Sequence, residues 1–405
     1  MKIILINNIH YCKGGAEAVY FNTARLLEQN GHEVVFFSAS HPDNVQYEHA
    51  GYFATYRDYR KRSLTGKIKA MPSFIYNREA YRKLLSLVDE FKPDVAHIHL
   101  FLGGLTTSIL QALKKRRVPV VLSVHDYRLI CPAYLFIDEE NKICELCKDR
   151  FYLRCIIKQC SEKNLPQSAM LSLDAYFRKY FVKPLNYING FIFVSRFTQD
   201  KHIDFNSAYK PKAKTLYNFI PDLKIIESNE SKGEYFLYYG RLSREKGLET
   251  LTGAASSAKI KLKIAGTGPL SMHYKNKTYR YIEFLGYKSG VELWNLIRNA
   301  SFIIVPSECY ENNPLTIIEA YAHGKPVIGA RIGGIPEIIE HGKTGFLFDA
   351  GNKEQLKDAL SIANQLTASQ YKKMSVNARQ FAESHFDPDS HYRSLMNIYH
   401  EIIHY

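Results

Sequence analysis

The strongest constraint on the fold is a rhythm that plays twice along the chain: short apolar runs rich in β-branched residues, separated by amphipathic stretches. Ile3–Ile6, Val34–Phe37, Val95–Ile98, Val118–Val124 and Phe191–Val194 read as strands, with helical spacing near 15–30, 77–91 and 105–117. Strands alternating with helices build a parallel sheet covered on both faces, because each parallel crossover must lay a helix against the sheet. The rhythm restarts after Asn218-Phe219-Ile220-Pro221-Asp222, with strands at Tyr235–Tyr239, Ile260–Ala265, Tyr281–Phe284, Phe302–Val305 and Pro326–Ile328. Its helices fall near 246–257, 289–299, 314–323 and 353–365.

The expected fold is therefore α/β, with two tandem Rossmann-like doubly wound domains facing a cleft, since ligands bind at the carboxyl ends of such sheets. The expected divisions are 1–216, a linker over 217–232, 233–385, and a last helix over 386–405 returning to the first domain. Pro221 and the polar run Glu227–Gly233 interrupt both patterns and mark the linker. A chain of 405 residues with 46% apolar content can fill two cores.

Charge is distributed unevenly. Residues 1–220 hold 32 Lys+Arg against 20 Asp+Glu, whereas 221–405 hold 22 against 20. One-sided positive charge marks the half that meets a polyanion or an anionic membrane surface. No zinc-finger, basic-zipper or RNA-reading signature accompanies it, so nucleic acid is not the expected partner. The apolar run at the N-terminus is shorter than that of a signal peptide, and no segment approaches a membrane span, so a reducing cytoplasmic setting is expected.

The stretch Glu311-Asn312-Asn313-Pro314-Leu315-Thr316-Ile317-Ile318-Glu319 carries the most chemistry. Pro314 suits a first helical turn and Asn313 an N-cap, which would set Glu311 just before a helix and Glu319 inside it, beside the positive helix end. A carboxylate accepts two hydrogen bonds from adjacent hydroxyls, so the pair could hold a sugar at one side of a diphosphate and a ribose at the other. Upstream, Gly240-Arg241-Leu242-Ser243-Arg244-Glu245-Lys246-Gly247 follows a strand and brings Arg241 and Lys246 to its carboxyl edge, where cations can neutralise phosphate. Each signal alone also fits a solvated surface.

Together with Gly14-Gly15-Ala16-Glu17, His125-Asp126, Gly266-Thr267-Gly268-Pro269, Phe284-Leu285-Gly286-Tyr287, Gly324-Lys325-Pro326-Val327-Ile328 and Gly333-Gly334-Ile335-Pro336-Glu337, these residues resemble the retaining family 4 glycosyltransferases of the GT-B fold, marked by an E-x7-E pair. The resemblance covers nearly the whole chain, with the shared features in the family's order. It implies that Arg241 and Lys246 bind the donor diphosphate, Glu319 the ribose hydroxyls, and Glu311 the transferred sugar, helped by backbone amides around Asn312, Asn313, Leu315 and Thr316. Gly14 and Gly15 would let backbone approach the phosphates, and Gly286 and Tyr287 would meet the base. His125 would stand over the reaction centre, with Asp126 orienting it.

The resemblance further implies that the acceptor attacks from the leaving group's own face while the positive groups stabilise the departing diphosphate, without a catalytic cofactor or metal. Glycosidases differ, because their two carboxylates flank the scissile bond. A UDP-sugar is the favoured donor. The expected acceptor is a glycan, lipid-linked, on the route to a surface polysaccharide such as capsule or lipopolysaccharide, with the enzyme peripheral at the inner face of the cell membrane. A non-catalytic sugar-nucleotide- or glycan-binding subunit and a GT-B sugar-nucleotide epimerase are the rival readings. The absence of a three-glycine fingerprint after the first strand argues against a dehydrogenase.

Two signals lie outside that pattern. Cys131, Cys144, Cys147, Cys155 and Cys160 put five of seven cysteines in an insert at about 131–160, candidates for a structural zinc or for ordinary buried thiols. Tyr52–Lys69 interleaves Tyr52, Phe53, Tyr56 and Tyr59 with Arg57, Arg60, Lys61, Arg62, Lys67 and Lys69, and Phe151–Lys183 is also basic and aromatic. Such surfaces suit anionic headgroups, although aromatics serve equally as core anchors.

Overall fold

A computed structural model describes residues 1–59, 64–161, 163–275 and 277–403. The chain forms two compact units, one of Met1–Leu216 with the segment from Asp389 on, the other of Tyr217–Pro388. No helix among the described residues is long and apolar enough to cross a membrane.

The first unit is built on a sheet of β1 (Lys2–Ile9), β2 (Glu33–Ser40), β3 (Ala54–Thr55), β4 (Val95–Ile98), β5 (Val120–Val124), β6 (Gly190–Phe193) and β7 (Ala213–Thr215). All pairings are parallel, in the order β3-β2-β1-β4-β5-β6-β7, which reverses direction between β1 and β4. The fully buried strands Val95–Ile98 and Val120–Val124 explain the unbroken apolar runs: both faces are covered. From the C-terminal helix, Leu395, Ile398 and Tyr399 enter the core around Ile3, Leu5, Val121 and Ile192. Tyr399 Oη lies 2.7 Å from His97 Nδ1. Ile402 rests on Gly190, where a Cβ would stand 2.4 Å from its Cδ1.

The second unit repeats the plan with β8 (Tyr235–Tyr239), β9 (Leu262–Ala265), β10 (Ile282–Gly286), β11 (Ala300–Val305), β12 (Val327–Ala330) and β13 (Gly345–Phe348). Their order is β10-β9-β8-β11-β12-β13, again all parallel, with the reversal between β8 and β11. Core residues line both faces of this sheet. The two strand orders are those of doubly wound sheets.

Three strands escape the hydrophobic pattern. β3 and β7 are only two and three residues long, and β13 begins at Gly345, where a Cβ would meet Val327 O at 1.9 Å. The stretch 217–232, expected as a linker, is built into the second unit. Phe219, Ile220 and Leu223 are buried, Ile220 and Leu223 beside Ile317 and Tyr321, and Arg379 holds the Leu223 and Ile226 carbonyls, each at 2.9 Å. Its apolar side chains outweigh the breaking effect of Pro221.

The aromatic side of Tyr52–Lys69 turns inward in part. Phe53 and Tyr59 are buried, and Arg57 reaches Glu79 at 3.3 Å. Arg60, Lys61 and Arg62 lie outside the described residues, as do the side chains of Lys67 and Lys69. Two of the aromatics expected at a surface are thus core anchors.

Candidate functional site

In the second unit the candidate residues gather where the strand order reverses. β8 ends at Tyr239, and the following loop delivers Lys246 in a single turn, Arg244–Lys246. β11 ends at Val305, and its loop delivers Glu311. Lys246 Nζ and Glu311 Oε1 meet at 2.5 Å, and Ser307 Oγ donates to the same oxygen at 2.6 Å. Burial alone would lower the Lys246 pKa, but the Glu311 carboxylate outweighs it and raises it; burial likewise works against the Glu311 charge, and Lys246 more than compensates, lowering its pKa. Both groups are therefore ionised at neutral pH.

Two glycines permit this approach. Gly247 has φ +67°, and a Cβ there would lie 1.9 Å from Pro306 O. Gly333 has φ +61°, and its Cβ would fall 2.2 Å from Glu311 O, while Gly334 N–H donates to that oxygen at 2.7 Å. The Gly333-Gly334 pair thus holds the Glu311 backbone rather than contacting a ligand by default.

Glu319 sits within the helix Leu315–Ala322, where Tyr239 Oη donates to Oε2 at 2.9 Å and also lies 3.0 Å from Thr316 O. Burial pushes its pKa up to about 7, only partly opposed by the tyrosine. The helix start differs from expectation by one residue. Pro314 occupies the cap with φ −67° and ψ 119°, outside the helix, and Asn313 does not cap it. Asn313 Oδ1 instead accepts the Asn218 N–H at 2.8 Å, and its carbonyl accepts Asn218 Nδ2 at 3.0 Å. A side chain committed to the neighbouring segment cannot also fold over the helix end.

Arg241 is exposed just past β8, without a carboxylate partner among the described residues. Gly286 ends β10 with φ +70°, and Tyr287 beside it is exposed. Asn312, Leu315 and Thr316 are half-buried around the helix start. Ser307 and Tyr239 were missed by the sequence reading. Each lies at or just past the end of a strand flanking the reversal, which is the signal that would have found them.

The first unit carries its own set. Gly14 and Gly15 are exposed at the start of the helix Gly15–Gln29, just beyond β1. His125 follows β5, and its Nε2 lies 2.9 Å from Nδ1 of His99, which follows β4; the rings stack 5.1 Å apart. Asp126 Oδ1 accepts the Arg128 N–H at 2.9 Å. His99 thus aligns His125 from the neighbouring strand. Burial lowers the His125 pKa to about 4, so the ring is neutral.

With this geometry in place, two family models account for most of the chain: Glycosyltransferase Family 4 matches residues 13–222, and Glycosyl transferases group 1 matches residues 220–381. The chain belongs to the family 4 glycosyltransferases.

Among relatives of this glycosyltransferase, a 42.6 kDa protein of the cps region of Klebsiella pneumoniae is 26% identical over 84% of this chain and 87% of its own length. The colanic acid biosynthesis glycosyltransferase WcaL of Escherichia coli is 26% identical over 39% of this chain and 43% of its own. Anabaena HepE, crystallised with UDP and glucose, shares the fold with a TM-score of 0.66 at 16% identity, covering 98% of each chain. The two-domain GT-B architecture expected from the sequence is thus the architecture of the glycosyltransferase.

The cysteines of the insert form a patch without disulfides. The Cys155 and Cys160 thiols hydrogen-bond, and burial pushes the Cys131 and Cys147 thiols up to about 12. As placed, no three Cys, His, Asp or Glu side chains among the described residues converge on an ion.

Proposed function

We propose that this glycosyltransferase uses a nucleotide-sugar donor, favourably a UDP-sugar, and transfers the sugar with retention to a glycan acceptor, lipid-linked, in surface polysaccharide biosynthesis. The observation that carries the reading is the Lys246–Glu311 pair at the reversal of the second sheet, with Arg241 exposed nearby. A diphosphate entering there would meet two cations, and Lys246 would turn part of its charge from Glu311 to the leaving group. Glu311 would then accept sugar hydroxyls, and Glu319, already aligned by Tyr239, would accept from the ribose.

Within this reading, Gly14 and Gly15 approach the donor phosphates, Gly286 and Tyr287 contact the base, and amides near Asn312–Thr316 bind the sugar. His125 faces the donor sugar in neutral form. The acceptor hydroxyl attacks on the face from which the diphosphate departs, and a diphosphate oxygen takes its proton. No metal takes part in transfer. Zinc, proposed for Cys131, Cys144, Cys147, Cys155 and Cys160, is structural and requires these side chains to rotate together and lose protons.

The cps-region and colanic acid relatives support the polysaccharide role, and the UDP and glucose bound by HepE support the donor class. The positive first half of the chain supports a cytoplasmic enzyme working at the inner membrane face. A panel of nucleotide sugars with glycan acceptors tests the reading, with the anomeric configuration of the product read by NMR. Transfer with retention is expected. An inverted product, or an epimer released without acceptor, would overturn it.

A further inference from the structure

A cavity of about 440 Å³ opens in the first unit between the end of the helix Leu165–Tyr180, the loop at Arg150–Tyr152 and the turn Pro184–Asn186. Arg150, Arg178, Lys179 and Lys183 line it, and none of its described lining residues is acidic. Arg178 is neutralised by Asp174 at 3.0 Å. Arg150, Lys179 and Lys183 have no carboxylate partner among the described residues; Lys179 Nζ donates to the Arg150 carbonyl at 3.1 Å and lies over the Tyr180 ring, 5.0 Å from its centroid. Three uncompensated cations around one concavity focus positive potential into it.

The chain segment that supplies much of this cavity exposes many apolar side chains. Of the sixteen large hydrophobic side chains exposed among the described residues, nine fall within 143–181. Phe181 is 74% exposed and Tyr180, at the cavity wall, 60%; Ile157 on the neighbouring short helix is 75% exposed. Cations in a pocket with exposed Tyr180 in its wall and exposed Phe181 next to it in the chain fit a ligand anionic at one end and apolar beside it. Pro184–Asn186 lead into β6, and Phe205 and Asn206 close the helix that returns from it, so the cavity lies toward the edge where β6 starts. His125 follows the opposite end of β5.

We propose that this cavity binds the phosphate headgroup of an anionic membrane lipid while Tyr180, Phe181 and Ile157 enter the interface. The inference rests on the membrane association proposed above and gives it an address beside the cysteine-rich insert, at the end of the helix Leu165–Tyr180, rather than in Tyr52–Lys69.

The test uses the full chain with vesicles of phosphatidylcholine alone or mixed with phosphatidylglycerol. Wild-type protein is expected to bind the mixed vesicles, more weakly as salt rises. The pair Arg150→Gln with Lys183→Gln should lower that affinity at least tenfold, and Phe181→Ser should lower it severalfold on its own. Both variants should keep wild-type transfer to a short soluble acceptor, which shows them folded and separates this proposal from the transfer reaction. Unchanged vesicle binding by the double variant would overturn the cavity assignment while leaving membrane association standing. Failure of the wild type to bind mixed vesicles would overturn both. Loss of binding in millimolar inorganic phosphate with no effect of Phe181→Ser would overturn the lipid as occupant in favour of a soluble phosphate.

Discussion

Lys246 Nζ lies 2.5 Å from Glu311 Oε1, joining the loops that follow β8 and β11 across the point where the second sheet reverses its strand order. Both side chains are largely shielded, with 28% and 16% of their surface exposed. Removing either partner therefore leaves a charge uncompensated. Lys246→Met and Glu311→Gln should each lower transfer at least a hundredfold and cost about 1–3 kcal/mol in urea denaturation. The double variant should regain most of the lost stability and none of the activity. A double variant as unstable as the sum of the singles would show that the pair is not coupled.

Gly333→Ala should disturb the same carboxylate from its backbone side. The new methyl would stand 2.2 Å from Glu311 O at a φ of +61°. The loop must move, and a strained residue there costs about 1–3 kcal/mol. The expected result is a loss of donor affinity larger than that of Gly342→Ala, which has φ +79° but nothing within 4 Å of its Cβ. Equal effects on donor affinity would place Gly333 outside the site's support.

Glu319 titrates near pH 7 because burial favours its neutral form. Only the carboxylate accepts from two hydroxyls, so donor KM should rise as pH falls through 7 and level off above about 8. Stability takes the opposite sign. The folded-state pKa is raised, so the unfolded chain gives up its proton first, from about 4.5, and stability declines as pH climbs to about 7. Glu319→Gln should therefore be more thermostable than wild type at pH 8 and flatten the KM profile. Tyr239→Phe removes a donor to the ionised form and should move the KM limb to higher pH. A KM profile identical in wild type and Glu319→Gln would dissociate this residue from donor binding.

Elemental analysis of the purified protein decides between the two readings of the cysteines: about one zinc per chain, whose chelation lowers the melting temperature while leaving initial transfer rates unchanged, would establish a structural metal. Metal-free, fully stable protein would establish the five cysteines as buried thiols.

The rhythm of strands and helices was legible because apolar periodicity is local: each strand of four or five buried residues declares itself within its own window. The order of the site motifs was legible for the same reason, from Gly14-Gly15 to Glu311 and Glu319. The short edge strands β3, β7 and β13 were not, since their pairing depends on neighbours rather than on their own composition. Phe219, Ile220 and Leu223 looked like linker residues until a core existed to receive them.

By itself the sequence determined two α/β domains, the residues proposed to meet a diphosphate and a sugar, and membership in a glycosyltransferase family. Tertiary structure alone decided which of them act together. That Lys246 faces Glu311, 65 positions away, that Tyr239 aligns Glu319, and that His99 meets His125 all follow from strands adjacent in the sheet but distant in the chain. Pairing across a sheet is set by strand order, and strand order is a property of the packed whole.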